Sequence, residues 1–282
     1  MTSSIKTAVL FAMLTALFVV VGGLIGGQSG MLIALFLAII MNFFSYWFSD
    51  SVVLKIYKAK ELQKNDAPQL HEIVEELARN AGIPKPRVYI VPDPSPNAFA
   101  TGRNPEHAVV AVTQGILQIL NTNELRGVIA HEIGHIAHRD ILIQSCAAVL
   151  GSAITSLANM LYYASLFGGR SNNNNSGAFG ALGALLMMIL APLAASLIQM
   201  AISRSREYLA DEAGASFSSD PQALASALNK LNNYSKQIPM RANPATENMF
   251  IVTPLHAGGM QALFSTHPPI EERIKRLMQM AR

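Results

Sequence analysis

The sequence predicts a mainly α-helical integral membrane protein, with about four transmembrane or membrane-embedded helices joined to a water-facing α+β domain that holds a small sheet. Three observations predict it. Of 282 residues, 51% are hydrophobic and only 14% are charged, a balance too apolar for a typical soluble domain. The apolar residues are concentrated in two pairs of segments. The polar stretches around those pairs carry apolar residues at helical or strand spacing.

Residues 1–50 read as an N-terminal transmembrane hairpin. Their apolar segments, 7–24 and 31–48, each approach the roughly 20 residues that cross a bilayer core, and only the GGQSG turn separates them. A second span following at once argues against a cleaved signal peptide. Residues 51–140 read as the first part of a folded domain. Asp66 is the expected cap of a helix in which Leu70, Ile73, Val74, Leu77 and Ala81 recur at helical spacing, ending at Gly82. RVYIVP and HAVVAV then read as short strands bracketing PDPSPNAFATGRN. A helix capped by Thr122 or Asn123 follows, with Leu125, Val128, Ile129 and Ile133 on its apolar side.

Residues 141–203 read as a second membrane hairpin, whose segments 141–169 and 177–203 flank Arg170 and SNNNNSG. The later segment reads as a span kinked at Pro192. The earlier one is diluted by Gln144, Ser145, Ser152, Thr155, Ser156 and Asn159, so it either spans, dips partly into the bilayer, or packs as a buried helix. Residues 204–282 read as the second part of the folded domain. SRSREYLADEAGA continues as helix, Asp220 and Pro221 start another, and Pro268 and Pro269 lead into a last one. The intervening 239–262 reads as a mobile surface loop. Lys6, Lys55, Lys58, Lys60, Arg204 and Arg206 flank the outer ends of the apolar segments, while the connecting turns hold only Arg170. The positive-inside rule then puts both termini and the polar regions in the cytoplasm.

The chemistry sits in HEIGHIAHRD, at the lip of an apolar run. His131 and His135 are four apart and project from one helix face, so both can hold one metal ion, while Glu132, offset by about 100°, can reach a water beside it. A zinc hydrolase takes three protein ligands. A third ligand ten residues after His131 would be Ile141, which binds no metal, and His138 is collinear on the same helix. The third must come from another helix. REYLADEAGA offers Glu207, with Asp211 on the same face to hydrogen-bond the free ring nitrogen of a ligating histidine. The one cysteine, Cys146, lies in an apolar run, which excludes disulfides and thiolate zinc sites. A net charge of +3 without a Lys/Arg block leaves no nucleic-acid partner.

HEIGHIAHRD, REYLADEAGA and STHPP together resemble the HtpX-type membrane zinc endopeptidases, relatives of the CaaX prenyl proteases and the mitochondrial OMA-type proteases. The resemblance covers essentially the whole chain. It implies a zincin-like catalytic domain with one Zn2+ per chain on His131, His135 and Glu207, and Glu132 as general base. It also implies a histidine and an arginine near the oxyanion: His267, with Arg204 or Arg206, Tyr208 being a weaker candidate. PNAFATG looks like the edge strand that such peptidases lay antiparallel to the substrate, with Asn97 and Ala98 in contact with it. The implied setting is the bacterial cytoplasmic (inner) membrane, with misfolded or damaged membrane proteins as substrates under stress, beside membrane quality-control partners. Two rivals stand against this reading. A CaaX-type processing protease needs an enclosed chamber that four segments are too few to build. A non-catalytic zinc carrier should place metal-binding residues in its spans, which hold no charged residue and no histidine, and a zinc-binding scaffold would not need Glu132.

Overall fold

The structure, a computed structural model, describes residues 3–153, 204–238, 244–252 and 268–281. The fourth apolar segment, most of the third, and His267 lie outside the described residues.

Helix α1 (Ser3–Ile56) is broken where Gly26 and Gly27 leave helical geometry, Gly27 at φ 56° and ψ −141°. The two arms fold back on each other. Their approach is close enough that a Cβ on Gly22 would stand 2.4 Å from the carbonyl oxygen of Gly30, the kind of contact that only small residues allow between membrane helices. Asn42 Nδ2 donates across the pair to Thr15 Oγ1 at 2.9 Å. Both arms, Ser4–Leu24 and Gly26–Ile56, are long and apolar enough to cross a membrane, and Leu32, Phe36, Phe43, Phe44 and Trp47 are exposed on the second. At 1.5 Å per residue, the 31 residues of that arm reach ~46 Å, beyond a hydrocarbon core of ~30 Å. The surplus enters the folded domain, where Val53, Leu54 and Tyr57 are buried beside Phe99 and Phe250.

The domain's sheet is ordered β1-β2-β4-β3. Strand β1 (Lys60–Glu61) and strand β3 (Ala98–Thr101) form the edges; β2 (Arg87–Val91) and β4 (Val109–Thr113) lie between them, parallel to each other. β3 runs antiparallel to β4, with Ala98 opposite Val112. The expected second strand thus begins two residues late, because Pro105–His107 form a 3-10 turn first. Helix α2 (Pro68–Asn80) follows Ala67 without a side-chain cap. Asp66, the expected cap, instead accepts from the backbone of Gln63. After the short α3 (Gln114–Ile119) comes α4 (Thr122–Ala137), and its cap is Asn121 rather than Thr122 or Asn123. Asn121 Oδ1 accepts from the Glu124 amide at 2.9 Å and Glu124 Oε2 accepts from the Asn121 amide at 3.0 Å, a capping box.

α5 (Ile141–Ala153) is the described part of the third apolar segment, and Ile143, Ala147 and Leu150 pack against Leu10 and Leu14 of the hairpin. The remaining helices are α6 (Arg204–Ser218), α7 (Pro221–Gln237, capped by Asp220) and α8 (Ile270–Met280). α4 lies at the centre. A Cβ on its Gly127 would meet the α7 backbone at Leu224, 2.9 Å away, and a Cβ on Gly214 of α6 would meet His131 N at 2.9 Å. Backbone-to-backbone approach of this kind sets the histidines of α4 directly against α6. The stretch expected to be a mobile surface loop is otherwise in its described part: Pro244–Met249 form a 3-10 turn, and Phe250, Ile251 and Val252 are buried. Apolar side chains with a core to enter outweighed the turn-rich composition around them.

Buried Glu124 also takes Ser226 Oγ and Lys230 Nζ of α7, each at 2.7 Å. Burial works to raise its pKa, but Lys230, Ser226 and the Asn121 amide outweigh it and hold the carboxyl below its ordinary value. A depressed folded pKa contributes stability that is present above the unfolded value and is lost as pH falls through the folded one. We therefore expect Glu124→Ala to lower the thermal midpoint in detergent at pH 7, at a cost of about 2 kcal/mol. The gap between variant and wild type should shrink as the buffer is taken below about pH 4.5. A gap independent of pH would assign Glu124 a packing role only.

Candidate metal centre and active site

One turn of α4 carries His131 and His135, whose rings meet edge-on with centroids 4.8 Å apart. Glu207, in the first turn of α6, faces both: Oε2 lies 3.8 Å from His131 Nε2 and Oε1 lies 3.5 Å from His135 Nε2. One ligand atom from each of the three falls within 4.8 Å of the others, and all three residues are buried. Donors on a tetrahedral ion with bonds near 2.05 Å stand about 3.4 Å apart. Two imidazoles and a carboxylate at this spacing therefore fit a zinc-sized ion with little movement.

The surroundings fix which ring nitrogen faces the cluster. Asp211, one turn after Glu207, places Oδ1 2.9 Å from His131 Nδ1, so Nδ1–H donates to it and Nε2 keeps its lone pair. Arg273 of α8 grips Asp211 with two parallel bonds, Nε to Oδ2 and Nη2 to Oδ1, both 2.8 Å. Its Nη1 donates to the Ile251 carbonyl at 2.9 Å and stands 3.6 Å from Glu207 Oε2. Arg273 is fully buried. On the other flank, Arg139 takes a left-handed φ of 59°, and the Asp140 amide donates back to the His135 carbonyl at 2.9 Å. That turn brings Asp140 Oδ2 to 3.7 Å from His135 Nδ1 and Oδ1 to 3.3 Å from Arg206 Nη1.

Charge counting gives a second test of the fit. Glu132, Asp140, Glu207 and Asp211 are buried around the two histidines, and the buried cations there are Arg206 and Arg273. Among the described residues four carboxyl groups thus face two guanidiniums where water is excluded, an excess that protons on His135 and Glu132 offset in the absence of a cation and that a bound cation would otherwise meet. A divalent ion balances it. Glu132 Oε1 is also buried without a hydrogen-bond partner among the described residues. The imidazoles respond oppositely to the same carboxylates. Burial, beyond what Asp211 can offset, pulls His131 down to about 4. Burial also opposes charge on His135, but Asp140, Glu207 and Glu132 push it up to about 9. Glu132, driven by burial, rises to about 7, the Ala100 amide of β3 working against the rise.

The sequence-predicted residues divide. His131, His135, Glu132, Glu207 and Asp211 come together in one buried cluster. Asn97 and Ala98 are buried on the β3 side, next to strand residue Ala100 that faces Glu132. Arg204 is exposed at the first residue of α6. Arg206, on the buried face of that helix, faces Asp140, and the guanidinium beside Glu207 is that of Arg273. Tyr208 lies under Arg276, whose guanidinium is 3.6 Å from the ring centroid. His138 is exposed at the end of α4. Arg273 was missed, though it had a signal: it shares the apolar stripe of α8 with Ile270, Ile274 and Leu277, where a charged residue needs a buried partner.

Comparison with known proteins agrees with this geometry. The family model described as Peptidase family M48 matches residues 64–281, a range that contains every residue of the cluster. A "Protease HtpX homolog" of Persephonella marina is 57% identical over 283 residues, covering 99% of this chain and 98% of that protein. One of Ralstonia pickettii is 56% identical over 280 residues, covering 98% and 96%. The crystal structure of S. mikatae Ste24p shares the fold with a TM-score of 0.51 at 20% identity; the match covers 86% of this chain and 57% of that one. A buried His-His-Glu cluster with a glutamate at its side, inside a family match spanning most of the sequence, leads to one conclusion: the chain belongs to peptidase family M48 and is a membrane metalloprotease of the HtpX type.

Proposed function

We propose that the chain is a zinc-dependent endopeptidase of the bacterial cytoplasmic membrane, working at the cytoplasmic face on internal peptide bonds of misfolded or damaged membrane proteins. The observation that carries the reading is the buried His131, His135 and Glu207 cluster with Glu132 beside it. His131, His135 and Glu207 would hold a zinc ion, which when bound would supply Lewis-acid chemistry to water and to the scissile carbonyl. Glu132 takes the proton of the attacking water and passes it to the leaving amine. Asp211 keeps His131 in the tautomer that turns Nε2 to the cluster. Arg273, rather than exposed Arg204, is the buried guanidinium able to balance negative charge that develops next to Glu207. His267, outside the described residues, keeps its proposed place as a second donor to the oxyanion. An extended substrate pairs along β3 at Asn97 and Ala98.

Membrane placement rests on the two apolar arms of α1 and on the positive flanks of the apolar segments. Four crossings in all, with segments 141–169 and 177–203 completing the set, keep both termini and the halves of the catalytic domain on one side. Arg103 stacks over Trp47 with its guanidinium 4.8 Å from the ring centroid, and Arg87 pairs with Asp50. These contacts support a catalytic domain seated against the end of the second arm, within reach of chains embedded in or emerging beside the bilayer.

Two outcomes test the chemistry in purified, detergent-solubilised protein stripped of metal and reloaded with zinc. Glu132→Gln should retain one zinc per chain by elemental analysis yet cleave casein at least about 100-fold more slowly. Unchanged cleavage would remove Glu132 from the mechanism, and zinc uptake without cleavage in the wild type would favour a scaffold. Asp211→Asn should weaken zinc binding about 10- to 100-fold in a chelator competition. Wild-type affinity in that variant would mean that the contact between Asp211 and His131 does nothing for the ion.

A further inference from the structure

We propose that the segment Pro244–Val252 is a strap that occupies the substrate-pairing edge of β3 in the resting protein and leaves it when a substrate strand docks. The inference rests on the endopeptidase reading above. It begins with the backbone alternation of β3. The Asn97 carbonyl accepts from the Thr113 amide at 3.0 Å, so odd-numbered residues turn their backbone groups to β4. The groups of Ala98 and Ala100 therefore point away from β4, toward α4 and Glu132. These are the groups that an antiparallel peptide would use.

Within the protein the Ala98 amide donates to Asn97 Oδ1 at 3.1 Å and the Ala100 amide faces Glu132, and the Ala98 carbonyl is taken by the strap. The Ile251 amide donates to the Ala98 carbonyl at 3.2 Å. Asn97 reaches past its own strand to hold the next residue: Nδ2 donates to the Val252 carbonyl at 2.9 Å, and Oδ1 accepts from the Val252 amide at 3.5 Å. The Ile251 carbonyl accepts from Arg273 Nη1 at 2.9 Å. Ile251 thus makes, with its backbone alone, the two contacts that a substrate residue on this edge would make: an N–H to β3 and a C=O to the guanidinium beside Glu207. A peptide and the strap cannot both have them.

The strap has an anchor of its own. The Phe250 ring meets Phe99 at 5.4 Å and Tyr57 at 5.2 Å, edge-on to both, and the Tyr57 hydroxyl is hydrogen-bonded to Thr246. Phe250 to Val252 are almost completely buried. Beyond the ring cluster, the strap is held by three hydrogen bonds to Ala98 and Asn97, by the Arg273 bond to the Ile251 carbonyl and by burial of Ile251 and Val252 in the domain core. A docking peptide must therefore replace the hydrogen bonds and bring apolar side chains of its own. Displacement also releases the Asn97 amide and the Ala98 carbonyl together, which lets both serve as substrate contacts although both are engaged at rest.

The test uses full-length, zinc-loaded Glu132→Gln protein in detergent, with hydrogen–deuterium exchange followed with and without excess unfolded casein. Docking with displacement should slow exchange at 98–100 and speed it at 250–252 by about tenfold or more. Slowing at 98–100 with 250–252 unchanged or slowed would make the segment a fixed wall and overturn the strap. No slowing at 98–100 would overturn it as well, by removing the edge pairing it depends on. In the active chain, Phe250→Ala and the milder Thr246→Val should raise kcat/KM for a short unfolded peptide severalfold, through KM and with kcat little changed. A fall in kcat/KM for Thr246→Val, at unchanged zinc content and thermal midpoint, would contradict the proposal. Casein cleavage by the wild type is read separately, so failure of the endopeptidase reading is distinguishable from failure of the strap.

Discussion

The bidentate pair of Asp211 and Arg273 is the contact on which the rest of the centre leans. Neither side chain reaches water, and each is tolerable there only because the other is present. Removing one partner of such a pair leaves a buried, uncompensated charge, typically worth 3–5 kcal/mol. The pair also joins four parts of the chain. Asp211 belongs to the ligand helix α6 and orients His131 of α4, while Arg273 belongs to α8 and holds the Ile251 carbonyl. Positions of the metal donors, the strap and the last described helix are thus set through one guanidinium.

Close helix packing makes that arrangement possible. The crossing of α4 and α6 relies on Gly134 and Gly214, where added carbons would stand 3.1 Å from the Ala210 carbonyl and 2.9 Å from the His131 amide. With side chains there, Glu207 would be held away from the histidines and the donor spacing would exceed what one ion spans. The apolar hairpin obeys the same rule at Gly22 and Gly30 for a different reason. In a bilayer there is little hydrophobic gain from bringing helices together, so contact and the bond between Asn42 and Thr15 must hold them.

Much of this was legible locally. The i, i+4 histidines, the Glu207 and Asp211 pair one helical turn apart, and the alternation of RVYIV and VVAVT are patterns of adjacent residues, and local geometry suffices to read them. What escaped was nonlocal. Arg206 rather than Arg204 faces the cluster because the buried side of α6 is defined by Glu207, Ala210 and Asp211, a fact of packing rather than composition. The strap contains Pro, Asn and Thr and reads as a loop, and its order comes from Asn97, which is 155 residues from Val252 in sequence. Asn121 displaced its neighbours as the cap of α4 because only there does the reciprocal bond with Glu124 close.

The same long separations shape how the molecule is made. His131 and Arg273 are 142 residues apart, with Glu207 supplied between them. A nascent chain that has emerged only through α4 holds two histidines and a glutamate but has no third ligand, no Asp211 and no Arg273. Splitting the centre across the order of synthesis therefore works as a timing device: the hydrolytic set exists only once α8, which brings Arg273, has been laid down.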